Sequence, residues 1–131
     1  MNKEILKIAL NTKNLSYLSK HTHFSKLKNR NCGDEIKIYL IVKNNKIIKM
    51  KYEGESCVYT QAIANLLSES ILNKSSKNID LLLKHAKNQF HKEKIYSNNW
   101  KKILKLMNKS NNSRKDCLLL PIKATLLALK K

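Results

Sequence analysis

The chain of 131 residues contains few glycines, prolines and cysteines: two, one and three, respectively. It also has no long uninterrupted apolar stretch, which argues against a transmembrane helix. An odd number of cysteines argues against a framework built only from disulfides and favours reduced thiols. We therefore expect a cytoplasmic protein without membrane association.

Arginine is scarce although the chain is strongly basic. The net charge is +18, yet the only arginines are Arg30 and Arg114, and lysines are scattered through every segment. Proteins that read nucleic acid rely on arginine for guanine and phosphate contacts. This composition argues against nucleic acid as the main partner and favours acidic protein surfaces. A zinc-stabilised basic module that binds nucleic acid remains the least favoured alternative.

The length and the 42% share of hydrophobic residues fit a single globular domain over residues 1–131. Alternating apolar residues predict a hairpin from two strands, 35–43 and 46–53, and weaker alternation predicts a first strand over 21–29. Three- and four-residue spacing predicts helices over 58–72, 79–90, 100–107 and 121–129, with a polar loop over 108–112. A first helix is expected over 3–18, either continuous or broken near 11–14. Strands that precede most helices argue for an α+β fold.

The start of the last helix is open at this stage. Pro121 is acceptable in a first helical turn, which favours a start at that residue. The segment Ser113-Arg114-Lys115-Asp116 has the form of a capping box and would begin the helix earlier, with Pro121 inside it. The sequence does not decide between the two starts.

The hairpin turn determines which residues lie opposite each other. Asn44-Asn45 separates the two strands, and asparagine tolerates the left-handed conformation of tight turns. A two-residue turn there places Cys32 opposite Cys57, with Asp34 on the same side as Cys32. A slip of one residue, or a bulge at either glycine, would change these facing pairs. The pattern therefore predicts these three side chains at the open end of the hairpin.

The three cysteines all lie at the ends of predicted elements, which suits a small metal or iron–sulfur site. Cys57 precedes a predicted helix, whose N–H groups and partial positive charge favour a thiolate, and Cys117 stands ahead of the last helix. Three thiolates with Asp34 would complete a tetrahedral zinc site. The same set would also hold an iron–sulfur cluster, and the weaker carboxylate ligand would make that cluster labile.

Four segments resemble, in order, the NifU/IscU/SufU family of iron–sulfur cluster assembly scaffolds, the N-terminal domain type of NifU-like proteins. The segments are Asn11-Thr12-Lys13-Asn14, Asn31-Cys32-Gly33-Asp34, Gly54-Glu55-Ser56-Cys57 followed by Gln61-Ala62, and Arg114-Lys115-Asp116-Cys117. Each segment alone is a weak signal. The ordered set, with a hairpin between the first two cysteines, is fairly specific.

The resemblance implies an α+β fold with a three-stranded antiparallel sheet packed against several helices. It implies a scaffold, rather than an enzyme, that receives sulfur from a cysteine desulfurase, binds iron, builds a labile [2Fe-2S] cluster and transfers it to apo acceptor proteins. The implied ligands of iron, cluster or zinc are Cys32, Asp34, Cys57 and Cys117. We identify Cys117, at the end of the predicted polar loop, as the candidate persulfide acceptor.

Two departures from IscU-type members keep an alternative open. Asp116 stands where they have histidine, and Asn111-Asn112-Ser113-Arg114 replaces their Leu-Pro-Pro-Val-Lys chaperone recognition segment. Arg114 is closer to the SufU pattern, whose members bind zinc through three cysteines and one aspartate and relay sulfur. SufU-type proteins usually carry an insertion in the helical half, which this short chain lacks. The alternative is a SufU-like zinc-dependent sulfurtransferase partner of a cysteine desulfurase.

Overall fold

The structure, a computed structural model, describes residues 3–31, 33–91 and 100–130. The elements in chain order are α1 (Lys3–Ala9), β1 (His23–Lys28), β2 (Glu35–Lys43), β3 (Lys46–Glu53), α2 (Val58–Ser70), α3 (Ser76–Gln89), α4 (Lys101–Lys105), a 3-10 helix (Lys109–Arg114) and α5 (Lys115–Leu129). The strands form one antiparallel sheet in the order β1-β2-β3. The predicted α+β class is confirmed.

The core lies between one face of the sheet and the helices. Ile36, Ile38 and Leu40 of β2 and Met50 and Tyr52 of β3 are each at most 3% exposed on that face. Helices α2 and α5 contact the sheet, whereas α1 packs on α2 and α3 packs on α5. Alternation along the strands therefore buries one side chain in two, as half-buried antiparallel strands require. In the described ranges no helix is both long and apolar enough to cross a membrane.

The β2–β3 hairpin has the predicted bounds and the predicted turn. Both turn asparagines have positive φ, 53° for Asn44 and 64° for Asn45. Val42 pairs with Ile47, as the predicted register requires, but the next pair along the strands is shifted by one residue. The shift is a β-bulge, in which one strand contributes an extra residue.

The bulge makes the predicted register wrong over the outer part of the hairpin. Ile48 is the unpaired residue and is 46% exposed, whereas its neighbour Ile47 is fully buried. Glu53 consequently pairs with Lys37, whereas the predicted register would pair it with Ile36. The bulge contains neither of the two glycines. The alternating pattern of apolar residues does not indicate its position either.

The first helix ends at Ala9, next to the expected break near 11–14, and a continuous helix over 3–18 is wrong. The following segment runs beside β3: the N–H of Tyr52 donates to the carbonyl of Asn14 at 3.1 Å, and the N–H of Ser16 donates to the carbonyl of Tyr52 at 2.9 Å. These bonds satisfy part of the exposed edge of the sheet. The helical spacing seen at the start of this stretch therefore does not continue through it.

The last helix begins at Lys115, so the earlier of the two starts is confirmed and a start at Pro121 is wrong. The capping box does not form, because the N-cap residue is Arg114 and its side chain makes no capping hydrogen bond. Most of the predicted polar loop is instead the 3-10 helix, in which the Asn108 side chain accepts from the N–H of Asn111 at 3.1 Å. This helix leads directly into α5.

Candidate metal and cluster site

Asp34 lies at the entry to β2, at the end of the loop after β1. The N–H of Asn29 donates to the main-chain carbonyl of Asp34 at 2.7 Å, and the N–H of Gly33 donates to the carbonyl of Asn29 at 2.8 Å. Gly33 has a φ of 77°, a conformation that favours glycine. These bonds close the loop and leave Asp34 only 8% exposed. Cys32 lies outside the described residues.

Cys57 is the N-cap residue of α2, and Gly54 brings the chain to that position. A Cβ at Gly54, which has a φ of 144°, would lie 2.2 Å from the carbonyl oxygen of Glu35. This close approach allows the N–H of Glu35 to donate to the carbonyl of Glu55 at 2.9 Å. The N–H of Cys57 then donates to Asp34 Oδ2 at 3.2 Å. Asp34 and Cys57 therefore meet through the start of a helix and not through facing positions on two strands.

The sequence predicts Cys117 at the end of a polar loop. In the structure it is the third residue of α5 and is 3% exposed. The prediction is wrong because the preceding segment forms a 3-10 helix that continues into α5. The Cys117 side chain is thereby buried beside the start of α2.

One ligand atom each from Asp34, Cys57 and Cys117 lies within 4.8 Å of the other two. Cys57 and Cys117 are both in the reduced thiol form. At a tetrahedral zinc ion, bonds of about 2.3 Å hold two sulfurs about 3.8 Å apart. The three donor atoms need to approach each other by about 1 Å at most to reach such a spacing. This donor set fits zinc or iron and leaves a fourth ligand position open.

The Asp34 carboxyl is ionised at neutral pH. Burial on its own raises its pKa, but hydrogen bonds from the thiol and N–H of Cys57, the Thr60 hydroxyl and the Cys117 thiol together hold the pKa below its usual value. Stabilisation of a carboxylate by several donors is the expected effect of such bonds. Asp34 therefore presents a negative charge beside the Cys57 and Cys117 thiols.

Thr60 is a residue of the site that the sequence analysis missed. It is fully buried in the first turn of α2, and its Oγ1 lies 2.9 Å from both Asp34 Oδ2 and the carbonyl oxygen of Cys117. Oγ1 also lies 3.7 Å from the Cys57 sulfur. The available signal was its position three residues after Cys57, which places the two side chains on one face of a helix.

The rim of the site carries the residues that depart from the IscU pattern. Asp116 Oδ2 accepts from Asn31 Nδ2 at 3.0 Å, which links the start of α5 to the residue before Cys32. The guanidinium of Arg114 lies 5.4 Å from the centre of the Tyr59 ring, within the range of a cation–π contact. These contacts join the starts of α2 and α5 to the loop before β2.

A family model, the NifU-like N terminal domain, matches residues 1–130. The chain is also 33% identical over 105 residues to "Iron-sulfur cluster assembly scaffold protein IscU" of Thermotoga maritima, and this match covers 79% of the chain and 74% of that protein. The chain belongs to the NifU-like N-terminal domain family, the family of IscU- and SufU-type scaffold proteins. The family resemblance read from the cysteine motifs is confirmed.

Two crystal structures share the fold over nearly the whole chain. FiSufU from Fervidobacterium islandicum AW-1, provisionally described as an iron–sulfur cluster assembly scaffold protein for the SUF system, has a TM-score of 0.86 and 26% identity, with 98% of this chain and 96% of that chain covered. The N-terminal part of a nitrogen-fixing NifU-like protein from Brucella abortus has a TM-score of 0.83 and 15% identity, with 98% and 91% covered. The three-stranded sheet with packed helices is therefore the fold that the family resemblance implied.

Proposed function

We propose that this chain is an iron–sulfur cluster assembly scaffold. It receives sulfur from a cysteine desulfurase, binds iron, builds a labile [2Fe-2S] cluster and passes it to apo acceptor proteins. The observation that carries the proposal is the convergence of Asp34, Cys57 and Cys117, with ligand atoms within 4.8 Å of one another. The 33% sequence identity to the IscU of Thermotoga maritima supports this proposal.

The proposed ligands of iron and cluster are Cys32, Asp34, Cys57 and Cys117. Thiolates are the usual cluster ligands, and a carboxylate binds a cluster more weakly. The Asp34 carboxylate also accepts hydrogen bonds from the Cys57 N–H and the Thr60 hydroxyl. These bonds use lone pairs that would otherwise be available to iron. Asp34 therefore keeps the cargo exchangeable, which a donor scaffold needs.

Cys117 is the proposed persulfide acceptor, and its burial defines what sulfur transfer requires. It is two residues from the first residue of α5, and no side chain caps that helix start. Opening of a single helical turn would expose the thiol to the donor. Partly exposed Cys57 is the competing acceptor. Because the chemistry depends on reduced thiols, the proposal places the protein in the cytoplasm.

Anaerobic reconstitution with ferrous iron, cysteine and a cysteine desulfurase tests the scaffold function. We expect absorption bands of a [2Fe-2S] centre that transfers to an apo-ferredoxin and is lost in Cys57→Ser and Cys117→Ser. Ser56→Ala, which changes the neighbouring residue and removes no proposed ligand, is the matched control. A wild-type chain that forms no cluster under these conditions would contradict the proposal.

The SufU-like sulfurtransferase is the second candidate because of the residues at the start of α5. Asp116 occupies the position of the IscU-type histidine. Its carboxylate accepts a hydrogen bond from Asn31 at 3.0 Å and is not one of the three clustered ligand groups of the site. FiSufU, at 26% identity, has this fold. This function predicts one tightly bound zinc, no cluster and faster desulfurase turnover in the same reconstitution.

A further inference from the structure

Thr60 offers one hydroxyl proton to two acceptors. Its Oγ1 lies 2.9 Å from Asp34 Oδ2 and 2.9 Å from the main-chain carbonyl of Cys117. A threonine hydroxyl carries a single donor hydrogen, so the two acceptors share it in a three-centre hydrogen bond. The two acceptors belong to proposed ligands on separate elements, the loop before β2 and the first turn of α5. Thr60 therefore connects these elements, in addition to the bond from the Cys117 thiol to Asp34.

Pro121 removes the helical donor that would otherwise bond the Cys117 carbonyl. In an α-helix the carbonyl of residue 117 would accept from the N–H of residue 121, but proline has no N–H. Pro121 lies inside α5, in its second turn, and is buried. A buried carbonyl without a donor costs free energy. The structure supplies a donor from another helix at this point.

We propose that Thr60 is a positioning residue of the metal site, whose hydroxyl holds the Asp34 carboxylate and the Cys117 main chain at a fixed separation. This inference rests on the proposed function, because it assumes that both residues bind the same metal. Groups that hydrogen-bond metal ligands commonly change metal affinity by about 10–100-fold when removed. Thr60 fills this role without contacting the metal.

Co²⁺ titration followed by thiolate-to-cobalt absorption tests the proposal without any assay of cluster transfer. Thr60→Val keeps the shape of the side chain and removes the hydroxyl, and we expect Co²⁺ binding at least about tenfold weaker. Thr60→Ser keeps the hydroxyl and should bind within about threefold of wild type. Thr60→Val with wild-type affinity would overturn the proposal. So would Thr60→Ser as weak as Thr60→Val, since packing of the methyl group would then be the cause.

Thr125→Val is the matched control for this titration. Thr125 is equally buried, and its hydroxyl donates to the carbonyl of Pro121 at 2.8 Å, away from the three donor atoms. The same substitution there should leave Co²⁺ affinity unchanged, and an equal loss would overturn the specific role of Thr60. Absence of Co²⁺ binding by the wild-type chain would instead contradict the proposed ligand set.

Pro121→Ala gives a second readout that needs no metal. The new backbone N–H at position 121 would bond the Cys117 carbonyl and satisfy one of the two acceptors of Thr60. We expect Thr60→Val to lower the urea midpoint of the metal-free chain less in the Pro121→Ala background than in wild type. Equal losses in the two backgrounds would overturn the link between Thr60 and the Cys117 carbonyl.

Discussion

The two helices that carry the site cysteines begin in different ways. At the start of α2, Cys57 is partly exposed and is tied to the loop before β2 through the bond from its N–H to Asp34. At the start of α5, Cys117 is 3% exposed and lies inside the helix. One start is fixed by backbone geometry next to the sheet, and the other by burial. Substitutions should therefore disturb the two starts separately.

The largest effect should come from Gly54→Ala, which acts on the start of α2. A Cβ there would lie 2.2 Å from the Glu35 carbonyl oxygen, and the φ of 144° is unfavourable for any other residue. Because the strands and the start of α2 would have to separate, we expect the free energy of unfolding to fall by about 3 kcal/mol or more. Urea unfolding measures the loss.

Gly33→Ala is the matched control, since Gly33 also has a positive φ, 77°, but among the described residues no atom beyond its chain neighbours lies within 4 Å of its Cβ position. Its cost should be limited to backbone strain, about 1 kcal/mol. Equal losses for the two glycines would show that the close approach of β2 to the start of α2 is unimportant.

The second effect is a loss of protein stability at high pH. It comes from Tyr52, which lies on the sheet face that packs against the helices. Burial and the nearby charge of Glu69 raise the pKa of Tyr52 to about 12. In the unfolded chain the pKa is about 10, so between these values the unfolded state loses its proton first and stability falls as the pH rises. The loss should reach the order of 2 kcal/mol near pH 12.

Urea midpoints at pH 9 and near pH 12 test this effect in wild type and Tyr52→Phe. Tyr52→Phe should lose less stability between these conditions, because it has no phenol to ionise. Burial and Glu53 also raise the pKa of Tyr39 to about 12, so part of the alkaline loss should persist in Tyr52→Phe. An unchanged loss in Tyr52→Phe would assign the whole effect to other groups.

The third effect compares the two cysteines directly. In the metal-free folded protein, Cys57 should react with iodoacetamide about tenfold faster than Cys117, since only local opening exposes the buried thiol. Mass analysis of peptides measures both rates in one sample, and unfolding in urea, where the two should react alike, is the control. Equal rates in the folded protein would show that the start of α5 opens readily, which would support Cys117 as persulfide acceptor.

The fold was largely predictable because periodicity reports burial. Alternating side chains gave both strands of the hairpin their observed bounds, and Asn44-Asn45 gave the turn. The bulge at Ile48 was not predictable, since a one-residue insertion leaves most of the alternation intact. The start of α5 was open because Pro121 suits a first turn. Its place inside the helix leaves the Cys117 carbonyl to accept from Thr60, a residue distant in sequence, and periodicity does not report such a contact.

The sequence predicted which residues form the site better than it predicted how these residues are arranged. The motifs around Asp34, Cys57 and Cys117 identified the residues that the structure brings together. Cys57 lies beyond the end of β3 and meets Asp34 at the start of α2. The predicted opposition of Cys32 and Cys57 involves a residue outside the described ranges. Thr60 was missed because a lone threonine carries no motif, and its role appears only when α2, α5 and the loop before β2 meet.

The smallest expected effect is a change in cluster lifetime, and it tests a carboxylate that is linked to both helix starts. Asp34 accepts from the Cys57 N–H, and its contact with Thr60 leads to the Cys117 carbonyl. Asp34→Ala removes the weak ligand, so a reconstituted cluster should pass to apo-ferredoxin several-fold more slowly than in wild type.

Asp80→Ala is the control for this transfer assay, because Asp80 is an exposed carboxylate on α3 whose contact is a pair with Lys84 at 3.6 Å. A variant at Asp34 that releases its cluster as fast as wild type would show that the carboxylate does not set lability. The bonds from Cys57 and Thr60 would then serve only to hold the two helix starts together, and the difference between the starts would concern folding rather than transfer.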